Sequence, residues 1–236
     1  MTTKAATASR RVFLKQSSAL LVMGLLWGPA VEPNPGGKMK KGKRIQLPEA
    51  GPMIPPVPAI LLTVNGKTGG PDEISVVWTF VVEGKPPQIG ISVHKQQVAN
   101  ELIKTHGEFV LNLPVADMVI AFDRVDMSSS RVGDKFKLSG LTRGKAIKVN
   151  APTVEESPIQ VECKVFNTIE VPPARTLFLA EVVATTIHVG VCDDKGRLMV
   201  DNVPFFGMTA GSGEFYTMGK RVGNIGMTKN RTDIKY

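Results

Sequence analysis

The 236-residue chain is 42% hydrophobic and 21% charged, and its 29 basic and 21 acidic residues give a formal net charge of +8. Nine basic residues and one acidic residue fall within residues 1–44, so residues 45–236 carry no net charge. The excess charge belongs to the start of the chain, which argues against a basic nucleic-acid-binding face on the folded body. Two cysteines are too few for a disulfide framework or a cysteine-based metal site.

Residues 1–30 are typical of a secretory signal peptide, with a basic start, a short apolar run and a small-residue exit at Gly28-Pro29-Ala30. The apolar run is too short for an ordinary membrane span, which needs about 20 residues. Directly before the apolar run, the segment Ser9-Arg10-Arg11-Val12-Phe13-Leu14-Lys15 resembles the twin-arginine export motif. The resemblance implies export of the folded protein to the periplasm by the twin-arginine translocase.

Two further regions follow the predicted signal peptide. Residues 31–55 are rich in proline and glycine and carry a lysine-rich run, a composition that predicts a solvated linker. Residues 56–236 predict one domain, long enough to bury a substantial core. Within it, Cys163 shares a strand face with two valines, which favours a buried free thiol, although export would permit a bridge to Cys192.

The first half of the domain alternates between strand and helix patterns. An apolar run at 59–64 ends in the turn Asn65-Gly66, and a second β-rich stretch covers 73–82. Residues 88–94 alternate as a strand, and the period then changes to that of a helix from about 96 to 104, which ends near Gly107. A strand at 108–113 precedes Pro114, which can open a helix that runs to about Val125.

The second half predicts two long strands, 160–171 and 176–189, and an irregular glycine-rich tail from Gly211. Many strands, few helices and turns rich in proline and glycine together favour a mainly β fold. We therefore predict a β-barrel with a few appended helices and not a parallel doubly wound sheet.

No familiar catalytic motif is present in the sequence. It has no phosphate loop, no Gly-x-Gly-x-x-Gly opening a helix and no Gly-x-Ser-x-Gly elbow. Its three histidines, His94, His106 and His188, are scattered, so no metal site is predicted. An enzyme of this composition would take its reactivity from a cofactor, and we assign no catalytic residue.

Four segments between about residue 56 and residue 226 resemble the flavin reductase-like FMN-binding split barrels, most closely the flavoredoxin branch. They lie at 71–79 with Pro86-Pro87, at 89–95 with 107–113, at 129–136 with 139–142, and at 213–219. The resemblance implies a Greek-key split barrel that binds FMN and forms a homodimer. No single segment is decisive, but all four occur in the order that the family shows.

The resemblance also implies contacts to the cofactor. The strand with Val76, Val77, Trp78 and Thr79 would lie along the isoalloxazine, where backbone donors would stabilise the charge of the reduced ring. The turn with Ser92, Val93, His94, Lys95 and Gln97 would hold the phosphate, helped by a helix N-terminus. Relatives usually have an arginine in this turn, whereas Lys95 is its one clear cation and lacks the fork of a guanidinium.

Further contacts implied by the resemblance come from other parts of the domain. Lys135 would approach the flavin or its phosphate, although a surface Asp134–Lys135 pair is an equal alternative. Asp72, where many relatives have asparagine, would lower the flavin potential if it were close enough. Asn112 is a polar residue in an apolar strand, and a hydrogen bond to a turn explains it as well as a contact with the ligand. Arg131 is a further implied contact, and Phe215 and Tyr216 would cap the cofactor from the same or a neighbouring subunit, although without the resemblance they would be ordinary packing residues.

The leading functional hypothesis is an exported flavoprotein that carries electrons or acts as a reductase. Because reduced nicotinamides are not expected outside the cytoplasm, its unknown donor and acceptor would include a cytochrome or a quinol-linked protein. One alternative is a non-catalytic split barrel that has lost flavin and binds another small ligand or protein. A lipid- or nucleic-acid-associated role through the basic linker is the least favoured, because the body is neutral.

Overall fold

The structure is a computed structural model, and it describes residues 42, 44–54, 56–68, 70–210, 212–219 and 221. The predicted signal peptide and most of the predicted linker lie outside these residues. A small unit comprises residues up to Met53 together with Ala210–Glu214, and its described residues contain no helix or strand. The remaining described residues form the second unit, which holds all the elements below.

The described part of the second unit is mainly β. Its strands are β1 Val57–Pro58, β2 Leu61–Val64, β3 Glu73–Val76, β4 Trp78–Gly84, β5 Pro87–His94, β6 Glu108–Leu113, β7 Arg143–Lys145, β8 Pro152–Val154, β9 Ile159–Val171, β10 Arg175–Ile187, β11 Phe206–Met208 and β12 Phe215–Thr217. Its α-helices are α1 Val98–His106, α2 Val119–Met127 and α3 Lys135–Ser139, and short 3-10 turns occur at Ala116–Met118, Val189–Val191 and Val200–Asn202. Among the described residues, no helix is long and apolar enough to cross a membrane.

The seven-stranded antiparallel sheet has the order β3-β2-β6-β9-β10-β5-β4. Its two edge strands, β3 and β4, are consecutive in the chain and are separated only by Val77. Before Val77 the chain pairs with β2, where Val76 lies opposite Leu61, and after it the chain pairs with β5, where Trp78 lies opposite Ser92. One bent segment therefore joins both edges, which closes the sheet into the predicted split barrel.

The apolar run at the start of the domain is buried on both faces. Leu62 and Val64 point into the barrel, whereas Leu61 packs outside it with Ile74 and the aromatic side chains of α2 and α3. A strand covered on both sides is apolar at most positions, which explains why this run does not alternate, and its one polar residue, the buried Thr63, donates its hydroxyl to the carbonyl of Pro152.

Helix α1 packs against the barrel interior through Ala99, Leu102 and Ile103, which have the spacing of one helix face. Its end at Gly107 confirms the predicted stop. Gly107 adopts φ 67° and donates its N–H to the carbonyl of Ile103, a left-handed conformation that glycine reaches without strain.

Glu162 is a buried carboxylate on β9 that anchors the loop before β8. It accepts backbone N–H bonds from Ile147 at 2.9 Å, Lys148 at 2.6 Å and Val149 at 3.2 Å. Three donors compensate the desolvation of its charge, so it holds the loop against the barrel. The adjacent Cys163 is a buried free thiol whose pKa is raised by burial and by the charge of Glu162, and Cys192 is also free.

Three predictions of secondary structure need correction. The stretch predicted as one strand at 73–82 is two strands, because the chain changes partner at Val77. The helix predicted from Pro114 begins only at Val119, after the 3-10 turn Ala116–Met118. The tail predicted as irregular contains β12, which pairs with β11, whereas most residues beyond 219 lie outside the described part.

Candidate functional site

A polar cleft of about 200 Å³ opens where the barrel closes. Its walls are strand β3, the turn from β5 into α1, the end of α2 with the loop that follows it, and the start of α3. The side chains that line it are those of Glu73, Ser75, Val76, His94, Gln96, Gln97, Val98, Val125, Asp126, Ser128, Ser129, Ser130, Arg131 and Lys135. The cleft thus collects five of the predicted site residues: Val76, His94, Gln97, Arg131 and Lys135.

The side chain of Gln97 bridges the seam of the barrel. Its Oε1 accepts the backbone N–H of His94 at 3.0 Å, and its Nε2 donates to the carbonyl of Val76 at 3.1 Å. One amide therefore ties the end of β5 to the end of β3, where the chain changes partner. Gln97 lies at the predicted site, but its carbonyl and one of its donors already bind the protein.

The backbone amides that were expected to hold a phosphate also donate within the protein. The N–H groups of Lys95, Gln96 and Gln97 reach Ala174 O at 2.8 Å, His94 Nδ1 at 3.2 Å and His94 O at 3.0 Å. The Lys95 ammonium lies 2.8 Å from Glu170. Hydrogen bonds from Lys104 and then Lys95 lower the pKa of Glu170 to about 2, so this carboxylate stays charged beside Lys95.

Arg131 provides the guanidinium that the turn itself lacks. Its backbone N–H donates to Ser129 Oγ at 3.3 Å. Its side chain reaches the turn from the loop after α2, and its Nη2 donates to the carbonyl of Gln96 at 3.4 Å. A guanidinium has five N–H donors, so this bond leaves others for a ligand. Neighbouring serine hydroxyls add donors suited to an anion, and the positive end of the α1 dipole lies at Val98 beside them, although the Asn100 N–H already donates to the carbonyl of Gln97 at 3.0 Å.

Lys135 is buried in the cleft wall and is not part of a surface pair. Only 7% of Lys135 and 3% of Glu73 are exposed, and Lys135 Nζ lies 3.5 Å from Glu73 Oε1. Ser75 Oγ donates to the same Glu73 oxygen at 2.7 Å. Asp134 instead caps α3 and contacts Arg143 at 2.7 Å. Burial acts to raise the pKa of Asp134, but Arg143 and the backbone donors outweigh it and lower that pKa.

Trp78 and Ser92 lie beside the cleft on the outer face of the barrel. The guanidinium of Arg175 stacks on the Trp78 ring at 4.0 Å and donates to the carbonyl of Ser92 at 3.1 Å. Burial lowers the pKa of Arg175. The side chains of Val77 and Val93 point into the core, and Thr79 donates its hydroxyl to the carbonyl of Gly90 at 3.0 Å.

Three predicted site residues lie away from the cleft. Asn112 is buried between strands, where it donates to the carbonyl of Leu61 at 3.1 Å and accepts the N–H of Val154 at 2.8 Å. Phe215 packs edge-on against Phe122 and Phe206, with centroids 5.6 and 5.7 Å away. Tyr216 lines a separate and largely apolar groove.

Asp72, the carboxylate expected to oppose a reduced flavin, is compensated by its neighbours. It accepts the N–H of Gly66 at 3.0 Å and lies 3.5 Å from the Arg143 guanidinium. Sequence reasoning missed three other charged residues near the cleft: Glu73, Asp126 and Arg175. Their only sequence signal was a charge next to a predicted strand or helix end, which most surface residues share.

The fold and the cleft define a split-barrel protein with a polar cleft at its seam, lined by two cations and two carboxylates. Residues 55–202 match the family described as the flavin reductase-like domain, and the chain therefore belongs to that family. The YddH protein of Escherichia coli is 26% identical over 181 residues, which are 75% of this chain and 95% of YddH.

Solved structures share the fold. Flavoredoxin of Desulfovibrio vulgaris superposes with a TM-score of 0.72 at 24% identity, over 81% of this chain and 100% of the other. The FMN-binding protein from Thermus thermophilus gives a TM-score of 0.63 at 18% identity, over 79% of this chain and 99% of the other. At these identities the likeness establishes the split-barrel architecture.

Proposed function

We propose that this chain binds FMN at the cleft and transfers electrons through the bound flavin. Membership of the flavin reductase-like family supports a flavin-related redox role. The observation that carries the proposal is the donor set of the cleft, in which the Arg131 guanidinium and the hydroxyls of Ser129 and Ser130 lie near the start of α1, while the Ser128 hydroxyl donates to Arg124 and Lys135 pairs with Glu73. Cations, hydroxyls and helix N-terminal amides are the groups that bind a phosphate monoester.

The residues divide into two groups by the part of FMN that they would hold. Arg131 and the serine hydroxyls would bind the phosphate. The edge strand β4 would orient the ring, because alternate backbone groups of an edge strand point away from its partner strand. A bound flavin supplies one- and two-electron chemistry that no side chain has. The chain's own residues bind it, orient it and set the charge around it.

We expect Arg131→Gln to weaken FMN binding by about tenfold or more, because a charged hydrogen bond to phosphate contributes about 1.5–3 kcal/mol. Lys95→Gln is the matched control, since Lys95 already pairs with Glu170 and should change the dissociation constant by less than about threefold. Quenching of flavin fluorescence by the purified chain measures both. A larger loss in the Lys95 variant than in the Arg131 variant would contradict this assignment.

A second candidate is the non-catalytic split barrel that has lost flavin. This candidate is favoured because Lys95 pairs with Glu170 and the backbone N–H groups at 94–97 already donate hydrogen bonds within the protein. These groups are therefore not available to a phosphate. If this candidate is correct, the unmodified chain takes up no FMN in the same fluorescence titration. Saturable binding of FMN would exclude it.

We further propose that the protein works in the periplasm after export by the twin-arginine translocase. The support is the sequence of residues 1–30, which lie outside the described residues. Its electron donor or acceptor would then be a cytochrome or a quinol-linked protein.

We expect a reporter that is active only outside the cytoplasm to be exported when it is fused after Ala30. Replacing Arg10 and Arg11 with lysine should abolish its export, because a receptor reads the arginine pair. The matched control replaces Lys4 with arginine and should leave export unchanged. A reporter that stays in the cytoplasm with the natural sequence would refute the proposal.

We also propose that the chain forms a homodimer through the outer face of β4, β5, β10 and β9. Trp78 and Phe80 lie on this face with exposed fractions of 41% and 47%. Across the neighbouring strands, Ser92 lies opposite Trp78, Leu177 opposite Ser92, and Ile169 opposite Leu177, so these residues share the same face. Ile169 is 42% exposed. Exposed large apolar side chains grouped on one face of a sheet support an interaction surface there.

We expect the unmodified chain to sediment as a dimer and Phe80→Asp to sediment as a monomer, because a buried carboxylate without a partner opposes association. Ile120→Asp, on the exposed side of α2, is the control and should remain dimeric. Analytical ultracentrifugation distinguishes the two states. A dimer that survives Phe80→Asp would place the interface elsewhere.

A further inference from the structure

Asp126 lies in the last turn of α2 and lines the cleft. Glu73 on β3 and Lys135 on α3 line the same cleft. The C-terminal end of a helix carries a partial negative charge, which disfavours a carboxylate there. The sequence alone gave no candidate for a group that exchanges protons with a ligand at this site.

The charged and titratable groups around Asp126 come from every element packed about the cleft. Burial raises the pKa of Asp126, the charge of Lys135 lowers it, and Asp123, one turn earlier on the same helix, raises it again. The net result is a raised pKa. The other ionisable groups that line the cleft are Glu73, His94 and Arg131.

The two carboxylates of the cleft have different environments. Glu73 accepts the hydroxyl of Ser75 and lies 3.5 Å from the Lys135 ammonium, so its charge is directly compensated. The Asp126 side chain receives no hydrogen bond from the part of the chain that the structure describes. The residue is exposed overall, and the part of its carboxylate that is buried lines the cleft, which is why burial still raises its pKa. Of the two, Asp126 is therefore the carboxylate without a hydrogen-bonding partner among the described residues.

We propose that Asp126 is the proton-exchanging residue of the cleft, which takes up a proton from solvent when a phosphate-bearing ligand brings negative charge there. The inference rests on the proposed function, in which FMN is that ligand. The carboxylate oxygen of Asp126 gains the proton and becomes a neutral carboxylic acid, and no electron is transferred. The neutral acid can donate a hydrogen bond, whereas the ionised carboxylate would repel the phosphate.

The test is calorimetric titration of the full chain with FMN in buffers of different ionisation enthalpy, which counts the protons taken up on binding. We expect the unmodified chain to take up a larger fraction of a proton than Asp126→Asn, with the difference greatest at a pH above the ordinary pKa of an aspartate, because the pKa of Asp126 is raised. The proton uptake of the FMN phosphate itself is common to both titrations. Asp117→Asn, an exposed aspartate outside the cleft, is the matched control and should behave as the unmodified chain.

A second variant, Asp126→Ala, removes the same titrating group and should lose the same fraction of a proton. If FMN binds and all four proteins take up equal numbers of protons, the inference is overturned and the proposed function stands. If the unmodified chain does not bind FMN, both are overturned.

Discussion

The change of strand partner at Val77 is the constraint on which the rest of the structure depends. A single residue separates β3 from β4, and the two strands are the opposite edges of the seven-stranded sheet. Closing the sheet there places Val76 in the cleft, buries Val77 in the core and puts Trp78 on the outer face. The Gln97 amide then satisfies the carbonyl of Val76 and the N–H of His94, two backbone groups that the change of partner leaves at the seam. The same change of partner therefore closes the sheet and forms one wall of the cleft.

The cleft beside this seam is balanced in charge rather than uniformly basic. Arg131 and Lys135 oppose Glu73 and Asp126, and the buried Lys135 is paired with Glu73. Two cations with two carboxylates avoid a large desolvation cost in the absence of a ligand. A dianion that entered the cleft would be attracted by the two cations and repelled by the two carboxylates, and protonation of one carboxylate would reduce that repulsion. For the phosphate-bearing ligand that we propose, the affinity of the cleft would depend on the charge of Asp126.

The main strands and the helix ending at Gly107 were predicted correctly from alternation and turn residues, because these signals are local. The break at Val77 was missed, since nothing in Val76-Val77-Trp78 shows that the partner strand changes. The same limit applies to the site. Lys95 was a reasonable phosphate ligand by position, but its partner Glu170 lies 75 residues further along the chain and meets it only in the fold. Arg131 was placed in the site by family resemblance, and the structure adds its contact with Gln96. Asn112 interrupts an apolar strand because it binds two neighbouring strands, a role that its polarity alone could not distinguish from ligand binding.

The central claim, that the cleft of this flavin reductase-like protein holds FMN, is tested most directly by the visible absorption spectrum of the purified full chain. Chromatography of the chromophore released by heat then identifies it. The account expects a yellow protein that releases FMN at close to one per chain. A colourless protein that also fails to take up added FMN would contradict it.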